Sequence, residues 1–189
     1  MIRIGILGDI GSGKSFIAKS FGYPVFNADN EVEKLYKKNR KIFIKLNKAL
    51  PKYIIHFPIK KQEILRSILA NRNNLKEIIK IIHPEVRKKM NTFIKKNKKK
   101  KVIILDIPLL LENKINRKKD ILVFIESKKM QILKRLKKRK NFDYKIINKF
   151  RKIQLPLDYK KKKSNFIIKN NFTNRFIKKQ IKYILKQIH

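Results

Sequence analysis

The sequence predicts an α/β fold, a three-layer sandwich around a five-stranded parallel sheet, and three observations carry that prediction. Five short apolar runs, rich in β-branched residues, alternate with segments of helical period. A glycine-rich loop joins the first run to the first helix. Between the second and third runs lie about 75 residues without an obvious strand, far longer than the usual α/β crossover. That stretch must be a helical insertion.

The first strand is Ile2, Ile4, Ile6 and Leu7, short and apolar as a buried parallel strand should be. It runs into Gly8-Asp9-Ile10-Gly11-Ser12-Gly13-Lys14-Ser15, whose glycines allow successive backbone N–H groups to turn inward around a phosphate. Lys14 reaches the β/γ-phosphates in such a loop and Ser15 places its hydroxyl on Mg²⁺. The helix through Phe16, Ile17 and Ala18 aims its positive end at the anion. With a strand before it and a helix after it, this is the phosphate-binding loop of the P-loop NTPase fold, and it makes the chain a nucleotide-phosphate enzyme.

Gly22 marks the end of the first helix, and residues 23–26 form the second strand. Asp29 follows at once, at the carboxyl edge of the sheet beside the loop; it also suits the N-cap of a helix over 30–36. The third strand, 102–106, ends on Asp106, where P-loop enzymes commonly place the acid that supports Mg²⁺ through a bound water. A purely structural role is open for this acid too. The fourth and fifth strands are 121–125 and 166–168, and ligands belong at the carboxyl ends of the strands.

The insertion holds helices over 60–70 and 74–82 and a third beginning at Pro84. Ile64, Ile68, Ile78, Ile79 and Ile82 give them apolar faces. His83-Pro84 punctuates the stretch, because proline suits a first helical turn and disfavours helix just before it. A second insertion separates the fourth and fifth strands. There Arg135 and Arg139 share a helix face and Arg151 lies on another helix, as suits a lid that closes over transferring phosphates.

At 189 residues the chain suffices for one domain with an excursion or two. It has no cysteine, so disulfides and cysteine nucleophiles are excluded, and His56, His83 and His189 are too scattered for a zinc site. No apolar run approaches the roughly 20 residues of a membrane span, and the N-terminus enters a strand directly rather than a signal sequence. A cytoplasmic protein is expected. The net charge of +39 is extreme. Runs such as 95–101 and 160–163 lack interleaved aromatics, and lysine is spread over every predicted helix, so the charge reads as compositional drift rather than a nucleic-acid surface. From these residues alone, another nucleotide or small-metabolite kinase and a nucleic-acid-binding ATPase both stay open.

Several segments together resemble one family in order and spacing. They are Leu7 to Ser15, Asn27-Ala28-Asp29, Ile82-His83-Pro84, Asp106-Ile107-Pro108-Leu109-Leu110-Leu111-Glu112-Asn113, Gln131 through Arg135 to Arg139, Gln154, and Phe166-Ile167-Ile168-Lys169-Asn170. Across nearly the whole chain they look like dephospho-CoA kinase, a relative of the nucleoside monophosphate kinases. The resemblance implies transfer of the γ-phosphoryl of ATP to the ribose 3′-hydroxyl of dephospho-CoA, the last step of CoA synthesis, with Mg²⁺. It implies a core of about 1–29, 101–130 and 164–189, an acceptor-binding insertion of about 30–100 and a lid of about 131–163.

Carried over residue by residue, the resemblance puts the ATP phosphates on Gly11, Ser12, Gly13, Lys14, Ser15 and Phe16. It makes Asp29 the base on the acceptor hydroxyl and Arg139 a lid arginine, with Arg135 a second candidate. Lys61, His83, Pro108 and Leu109 would contact the acceptor. Four positions depart from the family pattern: Asn27 stands for its first Asp, Phe16 for threonine, Lys61 for arginine, and Ser164-Asn165 for Ala-Asp.

Overall fold

The structure, a computed structural model, describes residues 1–138 and 142–188. Five strands, β1 (Ile2–Gly8), β2 (Val25–Asn27), β3 (Val102–Asp106), β4 (Ile121–Glu126) and β5 (Phe166–Lys169), form one parallel sheet in the order β2-β3-β1-β4-β5. The second strand begins and ends later than the 23–26 expected, because Val25, Phe26 and Asn27 pair with Ile104, Leu105 and Asp106.

Two compact units divide the chain. The first comprises Met1–Asn27, Lys96–Asp143 and Arg151–His189. Alternating side chains of its strands supply one apolar face, Ile4, Ile6, Val102, Ile104, Val123, Ile125 and Ile168. Against this face pack Ile17, Ala18 and Phe21 at α1 (Lys14–Ser20) and Ile177, Ile181 and Ile184 of α9 (Asn174–Ile188). The opposite face meets Leu110 and Leu122 so closely at Gly5 that an added Cβ would lie 2.5 Å from Leu110. Two layers thus close on the sheet, and the short helix α8 (Leu157–Lys162) also packs on β1. Strands buried on both faces read as continuous apolar runs, which is why periodicity located them.

The second unit comprises Ala28–Lys95 and Tyr144–Phe150. Its helices are α2 (Ala28–Lys38), α3 (Arg40–Ala49), α4 (Lys61–Ala70) and α5 (Arg72–Lys96, whose last residue falls in the first unit). Leu35, Ile42, Leu46, Ile64, Ile68, Leu75, Ile78 and Ile82 are buried among them. Asn39 caps α3 by accepting the Ile42 N–H at 3.1 Å. Lys149 in α7 (Tyr144–Lys152) donates to the Ile68 and Leu69 carbonyls that end α4, at 2.6 and 2.8 Å.

The expected break at His83-Pro84 is overturned, since α5 is one helix of 25 residues with Pro84 inside it. Proline removes one helical hydrogen bond, at a cost of roughly 3 kcal/mol. Leu75, Ile78 and Ile82 before it and Met90 after it are all buried, and each such side chain returns roughly 2 kcal/mol, so a continuous helix wins. No helix among the described residues is long and apolar enough to cross a membrane.

Candidate active site

The phosphate loop is braced from behind. Gly13 sits at φ 91° as the residue that starts α1, and a Cβ there would stand 2.4 Å from Asn170 Nδ2. Only glycine tolerates both conditions. Asn170, which follows β5, donates to the Ser12 carbonyl at 2.7 Å, and Ser127, which follows β4, donates to the same oxygen at 3.0 Å. Ser12 is fully buried, and among the described residues its hydroxyl has no hydrogen-bond partner. Asn170 also accepts the N–H of Phe172, a non-glycine residue at φ 64° whose ring lies 4.4 Å beneath the Arg135 guanidinium. That left-handed backbone is a small store of strain beside the loop.

Lys14 Nζ donates to the carbonyls of Gly8 and Asp9 at 3.2 and 2.8 Å. Ser15 and Phe16 are exposed at the start of α1, with Phe16 43% accessible. At the carboxyl edge of the sheet Asn27 and Asp106 are register partners, and the Asn27 amide donates both to the Asp106 carboxylate and, at 3.4 Å, to the Ser15 hydroxyl. Ser15, Asn27 and Asp106 therefore form one oxygen-rich cluster. Among the described residues no three His, Asp or Glu side chains gather to hold a metal. One hydroxyl and one carboxylate suit a hard cation that keeps most of its waters and takes its other ligands from substrate phosphates, so the donor set fits Mg²⁺.

The remaining predicted residues lie as follows. Pro108 and Leu109 are half-buried after β3 in the first unit. In the second unit, Asp29 is exposed in the first turn of α2, two residues along the chain from Asn27. It lies inside that helix, which starts at Ala28, and not at a cap before residue 30. Lys61 is the exposed first residue of α4, and His83 is half-buried within α5. Arg139 lies outside the described residues, past α6 (Lys129–Lys137).

Two features escaped the sequence reading. Arg151 pairs with Asp9 of the phosphate loop. Lys160, one lysine in a run read as surface drift, is fully buried, 2.6 Å from Glu112 and 3.3 Å from the Gln154 side-chain oxygen. Glu112 also accepts the Leu155 N–H at 2.9 Å, so it ties the segment after β3 to the chain entering α8. Nothing local marks either pair, whose members are 142 and 48 residues apart. The hint for the second was that Glu112 and Gln154 both belonged to the segments that resembled a known family.

Known proteins resemble the chain along nearly its whole length. Residues 2–175 match the model of the family described as dephospho-CoA kinase. A dephospho-CoA kinase of Wolbachia pipientis is 33% identical over 98% of this chain and 97% of its own length. Among solved structures, a Thermus thermophilus protein superposes with a TM-score of 0.75 at 22% identity, covering 100% of this chain and 98% of that one. The dephospho-CoA kinase from Campylobacter jejuni gives 0.65 at 21% identity, covering 98% and 96%.

Proposed function

The chain belongs to the dephospho-CoA kinase family, and on that premise we propose how its residues divide the work. The reaction is ATP-dependent phosphorylation of dephospho-CoA, which yields CoA and ADP as the last step of CoA biosynthesis. Its two substrates are ATP and dephospho-CoA. What most supports the division below is the cluster of Ser15, Asn27 and Asp106 where the phosphate loop meets the carboxyl ends of β2 and β3.

The backbone of residues 11–16 and the Lys14 ammonium bind the donor phosphates. Lys14 leaves the carbonyls of Gly8 and Asp9 for a stronger, charge-assisted contact with phosphate oxygen. Ser15, through its hydroxyl, and Asp106, through water, would hold Mg²⁺, and the Asn27 amide keeps both oxygens in place. When bound, the ion would supply charge neutralisation for the phosphates.

Asp29 accepts a hydrogen bond from the ribose 3′-hydroxyl and orients its oxygen for in-line attack on the γ-phosphorus. The new O–P bond forms as the bond to the β-phosphate oxygen breaks, ADP leaves, and the hydroxyl proton passes to Asp29 late in the transfer. Lys61, His83, Pro108 and Leu109 bind the acceptor, and Arg139, with Arg135, covers the phosphates from a lid spanning about 131–163. The helical segment of about 30–100 is the acceptor-binding insertion. We assign the protein to the cytoplasm and give its positive charge no nucleic-acid role.

One assay tests this reading: ATP consumption by the purified chain across dephospho-CoA, the common nucleoside monophosphates and RNA. Turnover confined to dephospho-CoA is expected. Turnover on a monophosphate alone, or hydrolysis driven by RNA, would replace the acceptor assignment with one of the other two classes.

A further inference from the structure

Asp9 puts a carboxylate inside a loop built to hold phosphate. Two like charges in close contact repel, and more strongly near a protein surface than in water. Left alone, this acid would oppose the ligand. It is not alone: Arg151 Nη2 lies 2.9 Å from Oδ2 and Nε 3.3 Å from Oδ1, and the Ile10 N–H donates to Oδ1 at 2.7 Å. The same residue's carbonyl accepts Lys14. Residue 9 thus holds a cation on its side chain and another on its backbone, both at the phosphate loop.

The two partners differ in exposure. The Asp9 side chain is 13% accessible and is fixed by its own backbone neighbour, whereas Arg151, near the end of α7, is 38% accessible. A guanidinium carries five N–H donors in a rigid fork and can hold a carboxylate on one edge while offering the other to a phosphate oxygen. We infer that Arg151 is a further catalytic residue, a cation that Asp9 holds at the mouth of the loop and that binds the terminal phosphate of ATP. Asp9 is its positioning residue: it orients the fork and keeps it beside the loop before the nucleotide arrives. This rests on the kinase reading above, since only a phosphoryl donor with a terminal phosphate gives Arg151 a partner that develops charge during the reaction.

The test compares wild type with Arg151→Ala, Arg151→Lys and Asp9→Asn in the full chain. ATP and ADP affinities are measured by calorimetry, and kcat and KM for ATP with dephospho-CoA as acceptor. ADP lacks the terminal phosphate, so a contact to that group must separate the two nucleotides. Arg151→Ala should weaken both nucleotides, because it leaves the Asp9 carboxylate unpaired in the loop, but ATP by about tenfold more than ADP, the value of one charge-assisted contact. Its kcat should fall by about 10²-fold or more, within the range for arginines that stabilise a transferring phosphoryl group. Arg151→Lys, which keeps the charge without the fork, should fall between. Asp9→Asn should lower kcat and the preference for ATP over ADP, each by less than Arg151→Ala does, since the cation remains but its fork is no longer held by a charge.

Equal loss of ATP and ADP affinity in Arg151→Ala would overturn the inference and leave the pair a loop staple, as would an unchanged kcat. If Arg151→Ala does not fold, Arg151→Lys decides by the same ratio of ATP to ADP affinity. A wild type that binds ATP and fails to phosphorylate dephospho-CoA would instead defeat the acceptor assignment, an outcome separate from the affinity ratio.

Discussion

The side-chain amide of Asn27 donates to the carboxylate of Asp106, across the register pair that ends β2 and β3. An amide at this position gives the Asp106 carboxylate a hydrogen-bond donor where an acid would give it a like charge. Asn27→Asp puts two carboxylates in direct contact, which pushes the proton affinity of one of them up. The folded value then lies above the unfolded one, so a penalty is absent below about pH 4, builds as pH rises, and persists at neutrality. The variant should unfold more easily than wild type at pH 7, by about 1.4 kcal/mol for each pKa unit of mutual repulsion. The gap should close on acidification and on adding Mg²⁺; urea titrations at pH 4.5 and 7 with and without the ion check this, and a pH-independent gap refutes it.

Asp29→Asn keeps the shape of the side chain and removes its basicity. Because Asp29 is exposed in the first turn of α2, its loss should cost little stability. Turnover should drop by about 10²- to 10⁴-fold, the usual worth of a positioned base, while ATP affinity stays within about twofold. A variant with near wild-type kcat would leave Asp29 only its favourable place at a helix start.

Lys14→Ala should behave in the opposite way, losing ATP affinity and rate together. Lys14 donates to main-chain carbonyls of its own loop, contacts that a bound phosphate oxygen can replace. Thermal unfolding close to wild type, together with nucleotide binding weakened by an order of magnitude or more, is the expected pair of results. Retained ATP affinity would remove Lys14 from the donor site.

The sheet and the phosphate loop were legible because both are written locally. A parallel strand buried on two faces is a run of Ile, Val and Leu, and the loop is eight consecutive residues whose glycines have backbone work to do. Pro84 misled because a local rule was applied where tertiary burial of Ile82 and Met90 outweighs it. The pairs Asp9–Arg151 and Glu112–Lys160 were illegible for a different reason. Charge carries no periodicity, and in a chain with 52 basic residues one buried lysine looks like the others. Only the folded chain shows which lysine has an acid to meet.

Lys160→Met should be the costliest lysine substitution in the run 160–163. Removing one partner leaves the nearly buried Glu112 side chain with, among the described residues, no hydrogen-bond partner for Oε2 and the Leu155 N–H but no cation for Oε1. Breaking a buried pair in this way costs about 3–5 kcal/mol. The double variant Lys160→Met with Glu112→Leu should recover most of it, because a well-packed apolar pair avoids the uncompensated charge. Exposed neighbours such as Lys162 should change stability by less than about 0.5 kcal/mol when replaced. Urea unfolding of the four proteins decides, and a double variant no better than the single would mean that the pair's shape, not its charge, is what the site requires.

Glu63 sets an acid limit on the helical unit. Burial pushes its carboxyl up, but the His56 ring at 2.7 Å and the N–H groups of Lys60, Ile55 and His56 hold the charged form more strongly, so its pKa lies below the ordinary carboxylate value. A folded value below the unfolded one gives stability that is complete above about pH 4.5 and is lost as pH falls through the folded value. Glu63 also closes the first turn of α4 by reaching back to the Lys60 N–H at 3.0 Å, so its removal frays that turn as well. Glu63→Ala should destabilise the protein by about 2 kcal/mol at pH 7, for lost charge-assisted bonds, and by less as the wild-type carboxyl takes up its proton. Circular dichroism melts from pH 7 to pH 3 should show wild type and variant converging at the acid end; a constant difference would mean that the bonds to Glu63 work equally well with the carboxyl protonated.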